Sequence, residues 1–202
     1  MTKHHVVAGG GRWRLLVALT GALFAVMGTT TATSATTSTD TGHDFAAQAR
    51  AIHLTGAQTA ALNAEVERIQ AEMGGTRVNL NTIALGGRNS VHVAVPGEAA
   101  PRDLRSVPGA DAASYDPCTG GADYGWFCAY DQPNFRGGYI EMYDCADYYM
   151  PWGVTGSWDN NQTTGTRARM YDGNGSLGYT TPRAHSSDDV ASWAWVYWIR
   201  NC

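Results

Sequence analysis

Tyr130-Asp131-Gln132-Pro133-Asn134-Phe135-Arg136-Gly137 stands between Cys128 and Cys145 and runs into the alternating stretch Tyr139 to Tyr143. A Y-x-x-x-x-F-x-G spacing suits a folded hairpin: the glycine takes a backbone angle closed to other residues, and an aromatic ring packs over the turn. A weaker copy runs from Tyr171 to Gly178, with Ser176 in the aromatic position. Around both copies, residues 118–202 gather six of the seven tryptophans, nine of the ten tyrosines and two phenylalanines. Asn174-Gly175 is a hairpin-turn dipeptide, and Arg167 to Tyr171 and Trp193 to Ile199 alternate as short strands do. The expected fold is therefore mainly β, a sandwich of short strands with glycine-bearing turns. Trp193, Trp195 and Tyr197, at alternate positions, are expected to share one buried strand face.

Upstream the chain changes character. Lys3, Arg12 and Arg14 precede an apolar run from Leu15 to Met27, and the small residues Thr33, Ser34 and Ala35 follow, the three-part plan of a secretory signal over 1–35. These thirteen residues reach only about 20 Å as a helix, short of the ~30 Å hydrocarbon layer, so no membrane association is expected after cleavage. Threonine, serine and alanine dominate Thr29 to Thr41, a flexible leader. Thr55 and Gln58 have capping-box spacing, Leu62, Val66, Ile69 and Met73 recur at helical intervals, and Gly74-Gly75 ends the pattern. Val78 and Leu80 alternate with polar neighbours, Gly86 to Asn89 has turn chemistry, and Val91, Val93 and Val95 alternate again, so a hairpin follows the helix. At about 50 residues without a disulfide, this helix-plus-hairpin unit either docks on something or stays marginal.

Four prolines between Pro96 and Pro117 mark a linker. The resulting division is a signal peptide (1–35), a leader with the small helix/hairpin unit (36–95), a linker (96–117) and the β domain (118–202). Cleavage in the linker would release that domain, which makes the upstream unit a pro-segment or a spacer.

The formal charge is −4, and beyond Ala35 it is 11 minus 18, or −7, with no lysine. That balance argues against nucleic acid and against an anionic membrane surface. All four cysteines, Cys118, Cys128, Cys145 and Cys202, fall in the last 85 residues. An even count in an exported chain reads as two disulfides, and three pairings are open. Cys118 with Cys128 would close a short hairpin and Cys145 with Cys202 would tie the chain end to the middle, the latter worth roughly 3 to 4.7 kcal/mol by loop closure; this is the preferred pairing. No C-x2-C pair supports zinc.

The Tyr130, Phe135, Gly137 pattern resembles the βγ-crystallin Greek key, and Tyr171 with Gly178 resembles a second copy. Two acidic stretches, Asp159-Asn160-Asn161-Gln162-Thr163-Thr164 and Asp188-Asp189-Val190-Ala191-Ser192-Trp193, fit D-N/D-x-x-S/T and start 29 residues apart. In that family such a loop holds calcium, which takes six to eight oxygens at about 2.3 to 2.6 Å. The resemblance implies Asp159, Thr163, Asp188 and Ser192 as ligands, assisted by Asn160 and Asp189. Thr164 and Trp193 stand where the family pattern has serine.

Residues 118–202, about two fifths of the chain, resemble the secreted actinomycete metalloproteinase-inhibitor family, whose members have a βγ-crystallin-like double Greek-key fold. The segments that carry this are Tyr124 to Tyr130, Gly156 to Thr163, Ala168 to Asp172 and Arg200-Asn201-Cys202. The resemblance implies a secreted, monomeric peptidase inhibitor that inserts a stiffened loop into the cleft of an extracellular metalloendopeptidase. Here no cysteine lies between Cys145 and Cys202 to buttress such a loop in the second half. Candidate inhibitory loops are Met150 to Ser157, with Pro151, Trp152 and Val154, and Asp172 to Gly178. The alternative is a calcium-stabilised extracellular module without a target enzyme. A third reading is carbohydrate binding through stacked tryptophans, against which core burial of the aromatics weighs. Catalysis finds little support: the β domain has one histidine, His185, and no G-x-S-x-G, and the chain lacks H-E-x-x-H.

Overall fold

Thr55 opens the long helix through a complete capping box: its hydroxyl accepts from the Gln58 N–H, and the Gln58 side chain accepts from the Thr55 N–H. The computed structural model describes residues 44–104, 106–109 and 116–202, which belong to one unit, Asp40–Cys202. The expected signal segment and the threonine-rich leader lie outside the described residues. Helix α2, Gly56–Met73, buries Leu62, Val66 and Ile69 and ends at Gly74. A shorter helix, α1 (Phe45–Ala51), precedes it, capped by the Asp44 carboxylate on the Ala47 N–H.

Three strands follow, one more than the expected hairpin: β1 (Thr76–Asn79), β2 (Thr82–Gly86) and β3 (Asn89–His92), an antiparallel meander. The remaining strands are β4 (Phe127–Gln132), β5 (Arg136–Met142), β6 (Asp147–Tyr149), β7 (Thr155–Asn160), β8 (Arg169–Tyr171), β9 (Leu177–Thr180), β10 (Ser186–Ser192) and β11 (Trp198–Arg200). They form two antiparallel sheets, of seven strands in the order β1-β2-β3-β5-β4-β7-β10 and of four in the order β6-β11-β8-β9. The fold is mainly β.

The small upstream unit docks by lengthening a sheet. β3 pairs with β5, Val91 opposite Ile140 and His92 opposite Tyr139. Leu80, Ile83 and Val91 thereby enter the same buried cluster as Phe127, Ile140 and Trp158. Each such side chain contributes about 1.5–3 kcal/mol on full burial, which the segment could not obtain alone. One sheet thus runs through what the sequence presents as a helix/hairpin segment and a β domain on either side of a proline-bearing stretch.

The strand order of the last eight strands repeats with an exchange. β5-β4-β7 is continued by β10 from the second half, and β9-β8-β11 is continued by β6 from the first. Each half therefore places its third strand in the other's sheet.

Trp193 to Ile199 departs from the expected strand. Only Trp198–Arg200 pairs, while the preceding residues turn, with the Val196 N–H donating to the Trp193 carbonyl. Trp193 plugs the core at 1% exposure, and Trp195 and Tyr197 are turned outward. The three do not share a buried face, because the turn needed to seat Trp193 breaks the two-residue period.

The disulfides are Cys118–Cys128 and Cys145–Cys202, the preferred pairing, with Cα–Cα distances of 5.8 and 5.5 Å. Such bonds suit an oxidising, extracellular setting. Among the described residues no helix is long and apolar enough to cross a membrane.

Candidate functional site

The first hairpin, β4–β5, has the geometry its sequence requires. Gly137 has φ 80°, and a Cβ there would come within 1.7 Å of Asp131 Oδ1. The Tyr130 and Phe135 rings meet edge to face at 5.7 Å. Ser157 on β7 locks the fold of the turn: its hydroxyl accepts from the Phe135 N–H (2.9 Å) and donates to the Gln132 carbonyl (2.7 Å).

Asp131 Oδ1 accepts from the Gly138 N–H at 2.9 Å. Burial nevertheless pushes this carboxyl up to about 7, the Gly138 N–H opposing and the Glu65 charge adding to the rise. The native state then holds a proton that an unfolded carboxyl near 3.8 releases, so stability is complete below that pH and falls as pH rises to about 7. Asp131→Asn keeps the acceptor oxygen and is expected to raise the melting temperature at pH 8 while leaving it unchanged at pH 4. At pH 8 the gain is about 2 kcal/mol, once partial solvent access is allowed for. Equal shifts at both pH values would contradict this account.

The second hairpin uses its glycine differently. Gly178 carries no positive φ, but a Cβ there would lie 2.2 Å from the Trp195 ring, which packs over it. Tyr171 pairs across with Leu177, and Gly175 with φ 78° makes the turn. Asp172 Oδ1 accepts from the N–H groups of Asn174 (2.9 Å) and Ser176 (2.8 Å), while the Asp172 N–H donates to the Ser176 carbonyl (2.9 Å). Residues 173–179 are all exposed, with Leu177 at 53%. The tip is thus a projecting hairpin stiffened from within.

The other loop differs. Pro151 and Trp152 are buried, and Arg68 of α2 donates to the Pro151 carbonyl at 3.0 Å while paired with Glu65 and Glu72. The Trp152 indole N–H has no partner. Val154, at 49% exposure, is the outward member of the three.

The acidic stretches do not occupy equivalent places: the first runs from the end of β7 into a turn, and the second lies almost wholly within β10. Asp159 and Asn160 end β7, whereas Asp188, Asp189 and Ser192 lie within its neighbour β10, where Asp159 faces Ser187 and Asp188 faces Trp158. Successive positions point to opposite sheet faces, which separates the Asp159 and Asp188 side chains. Asp159 Oδ2 accepts from the Ala122 N–H (2.8 Å), and Oδ1 lies 3.1 Å from His185 Nε2. The Asn160 amide donates to the Thr166 carbonyl (3.2 Å) and the Thr181 hydroxyl (3.4 Å). Thr163 is exposed in the following turn. Asp188 Oδ1 accepts from the Val190 N–H (3.0 Å), the exposed Asp189 offers its carbonyl to the Asn134 N–H (2.9 Å), and Ser192 pairs with Thr155. No group of three or more His, Cys, Asp or Glu side chains placed to hold a metal occurs among the described residues.

A polar cluster that sequence reasoning missed sits on the β3–β5 seam. The Ser90 hydroxyl donates to Glu141 Oε2 (2.7 Å), His92 Nε2 lies 3.0 Å from Ser90 Oγ and 3.2 Å from Glu141 Oε1, and His92 stacks on Tyr139. The three groups meet in a closed triangle, so the serine proton goes to the carboxylate and the imidazole does not stand between them. As arranged, they lock the seam between the upstream meander and β5. The only sequence signal was Ser90 and His92 two residues apart on a strand; Glu141 joins them through cross-strand register. No protein-family model matches this chain, and neither the curated proteins nor the solved structures compared with it gave a match.

Proposed function

We propose that this is a secreted peptidase inhibitor that blocks an extracellular metalloendopeptidase with the β8–β9 hairpin, on a βγ-crystallin-like double Greek key. The observation that carries the reading is the hairpin itself: residues 173–179 project from the sheet while Asp172 fixes the turn and Trp195 backs Gly178. A loop already ordered before docking loses little conformational entropy in a substrate cleft, which is what separates an inhibitor from a flexible substrate. Leu177, apolar and exposed beside the tip, is the group that would fill an apolar subsite. The exchange of β6 and β10 between sheets, and the Tyr130, Phe135, Gly137 hairpin, support the Greek-key part of the proposal. The two disulfides and the signal-like 1–35 segment support secretion.

The test is a titration of the exported protein against a thermolysin-like peptidase. Stoichiometric loss of activity is expected, with Leu177→Asp weakening inhibition about a hundredfold, the equivalent of about 2.8 kcal/mol. Full peptidase activity at micromolar excess of the wild-type protein would remove the proposal.

A further inference from the structure

The outer face of the four-stranded sheet takes no part in the core and borders the inhibitory hairpin's turn. Cross-strand register sets Tyr149 of β6 and Tyr171 of β8 on either side of Trp198 of β11. The residues between them, Tyr148, Ile199 and Met170, are the buried ones, so this ring row faces solvent. Trp198 is 42% exposed and meets Tyr149 edge to face at 5.3 Å. Two residues along on each strand, Asp147, Arg200 and Arg169 form a parallel polar row. A depression of about 410 Å³ opens over part of each row, lined by Asp147, Tyr171, Gly175, Trp198 and Arg200, with Tyr149 and Arg169 outside the lining.

We propose that this depression binds a neutral polysaccharide. Sugar rings present apolar C–H faces, which pack on aromatic rings, and rims of hydroxyls that need donors and acceptors together. The site offers both: Arg200 Nε and Nη2 form a two-pronged pair with Asp147 Oδ1 (2.7 Å) and Oδ2 (2.5 Å), leaving Nη1 and the outward carboxylate lone pairs toward solvent. Because the acid and the base neutralise one another, the depression selects for a ligand without net charge and against an acidic or basic peptide. Its walls are held in advance of binding, since Cys145–Cys202 ties together the ends of β6 and β11, and Arg169 donates to the Cys202 carbonyl at 2.6 Å. The rings sit on three successive strands about 4.8 Å apart, so the row is roughly 10 Å long and runs along an extended chain rather than enclosing a single unit. This goes beyond the inhibitor proposal: the two sites meet at Tyr171 and Gly175, while Trp198, Asp147 and Arg200, which would hold the sugar, lie outside the inhibitory hairpin.

The experiment is retention of the full exported protein on insoluble chitin, cellulose and a β-1,3-glucan, with elution by the soluble hexamer of the retaining sugar. Retention on at least one polymer is expected, reduced about tenfold in Trp198→Ala and in Arg200→Gln, with peptidase titration and thermal melt unchanged. Arg200→Gln, a change in an exposed pair, serves should the tryptophan variant fold poorly. Passage of the wild-type protein through all three polymers would overturn the proposal, as would retention equal in both variants. A concentration-dependent dimer lost in Trp198→Ala would also overturn it and assign the face to a second copy of the chain.

Discussion

Trp193→Ala is expected to lower the free energy of unfolding by about 3–5 kcal/mol, a large share of the roughly 5–15 kcal/mol of an ordinary domain. Two separate losses combine. The side chain is almost wholly buried in the cluster that includes Trp158, Phe127 and Ile199, so its removal leaves a cavity that the surrounding strands close only in part. Its indole N–H also donates to the Tyr130 carbonyl at 2.7 Å, inside the protein, and without it that acceptor is stranded. Tyr130 belongs to β4 and Trp193 follows β10, so one ring joins the outer strand of the large sheet to the first hairpin. Urea unfolding followed by far-ultraviolet circular dichroism measures the effect. Trp193→Phe, which keeps most of the volume and deletes the donor, should lose about 1–3 kcal/mol. A loss below about 1 kcal/mol for the alanine variant would mean that the ring is not seated as described.

Removing the Cys145–Cys202 bond by a double serine substitution should destabilise by about 4 kcal/mol, against about 3 kcal/mol for Cys118–Cys128. The difference comes from the unfolded chain: the bonded residues are 57 apart in one case and 10 in the other, and the longer closure removes more denatured-state entropy. The native-state consequence should differ in place as well. Cys145 precedes β6 and Cys202 follows β11, neighbouring strands of three residues each at one side of the small sheet. Hydrogen exchange should therefore quicken in Tyr148 and Ile199 before it does in β4 or β5 of the double variant. The reverse ranking of the two bonds in denaturant unfolding would show that native strain or residual structure outweighs chain entropy here.

What could be read from residues alone was local. The capping box of Thr55 and Gln58, the Gly137 turn with its Tyr130 and Phe135 rings, and the Asn174-Gly175 hairpin are decided within a few bonds, and all are present. What could not be read depended on partners far along the chain. Val91 gives no sign that its partner is Ile140, and the closeness of Ser90, His92 and Glu141 follows from that register alone. Alternation misled at Trp193 to Tyr197, because a tight turn can present the same every-second-residue pattern as a strand. The acidic stretches misled in a related way: matching composition suggested matching loops, yet one ends β7 and the other lies within β10 beside it. Helix α1, at seven residues, is too short to leave a clear periodic trace. The outward row of exposed Trp198 between the half-buried Tyr149 and Tyr171 was hidden among aromatics that are mostly buried.

The seam where His92 lies beside Tyr139 changes what a cut between residues 96 and 117 would accomplish. Severing the chain there would not set free a finished module, because the amino-terminal fragment would still be laced to its neighbour by ladder bonds and by shared apolar packing. If the fragment were then stripped away, a bare flank of β5 would be left with unpaired amides, primed to recruit any strand within reach. Maturation by simple clipping would therefore yield a nicked pair that travels together, and an orphaned remainder prone to clump.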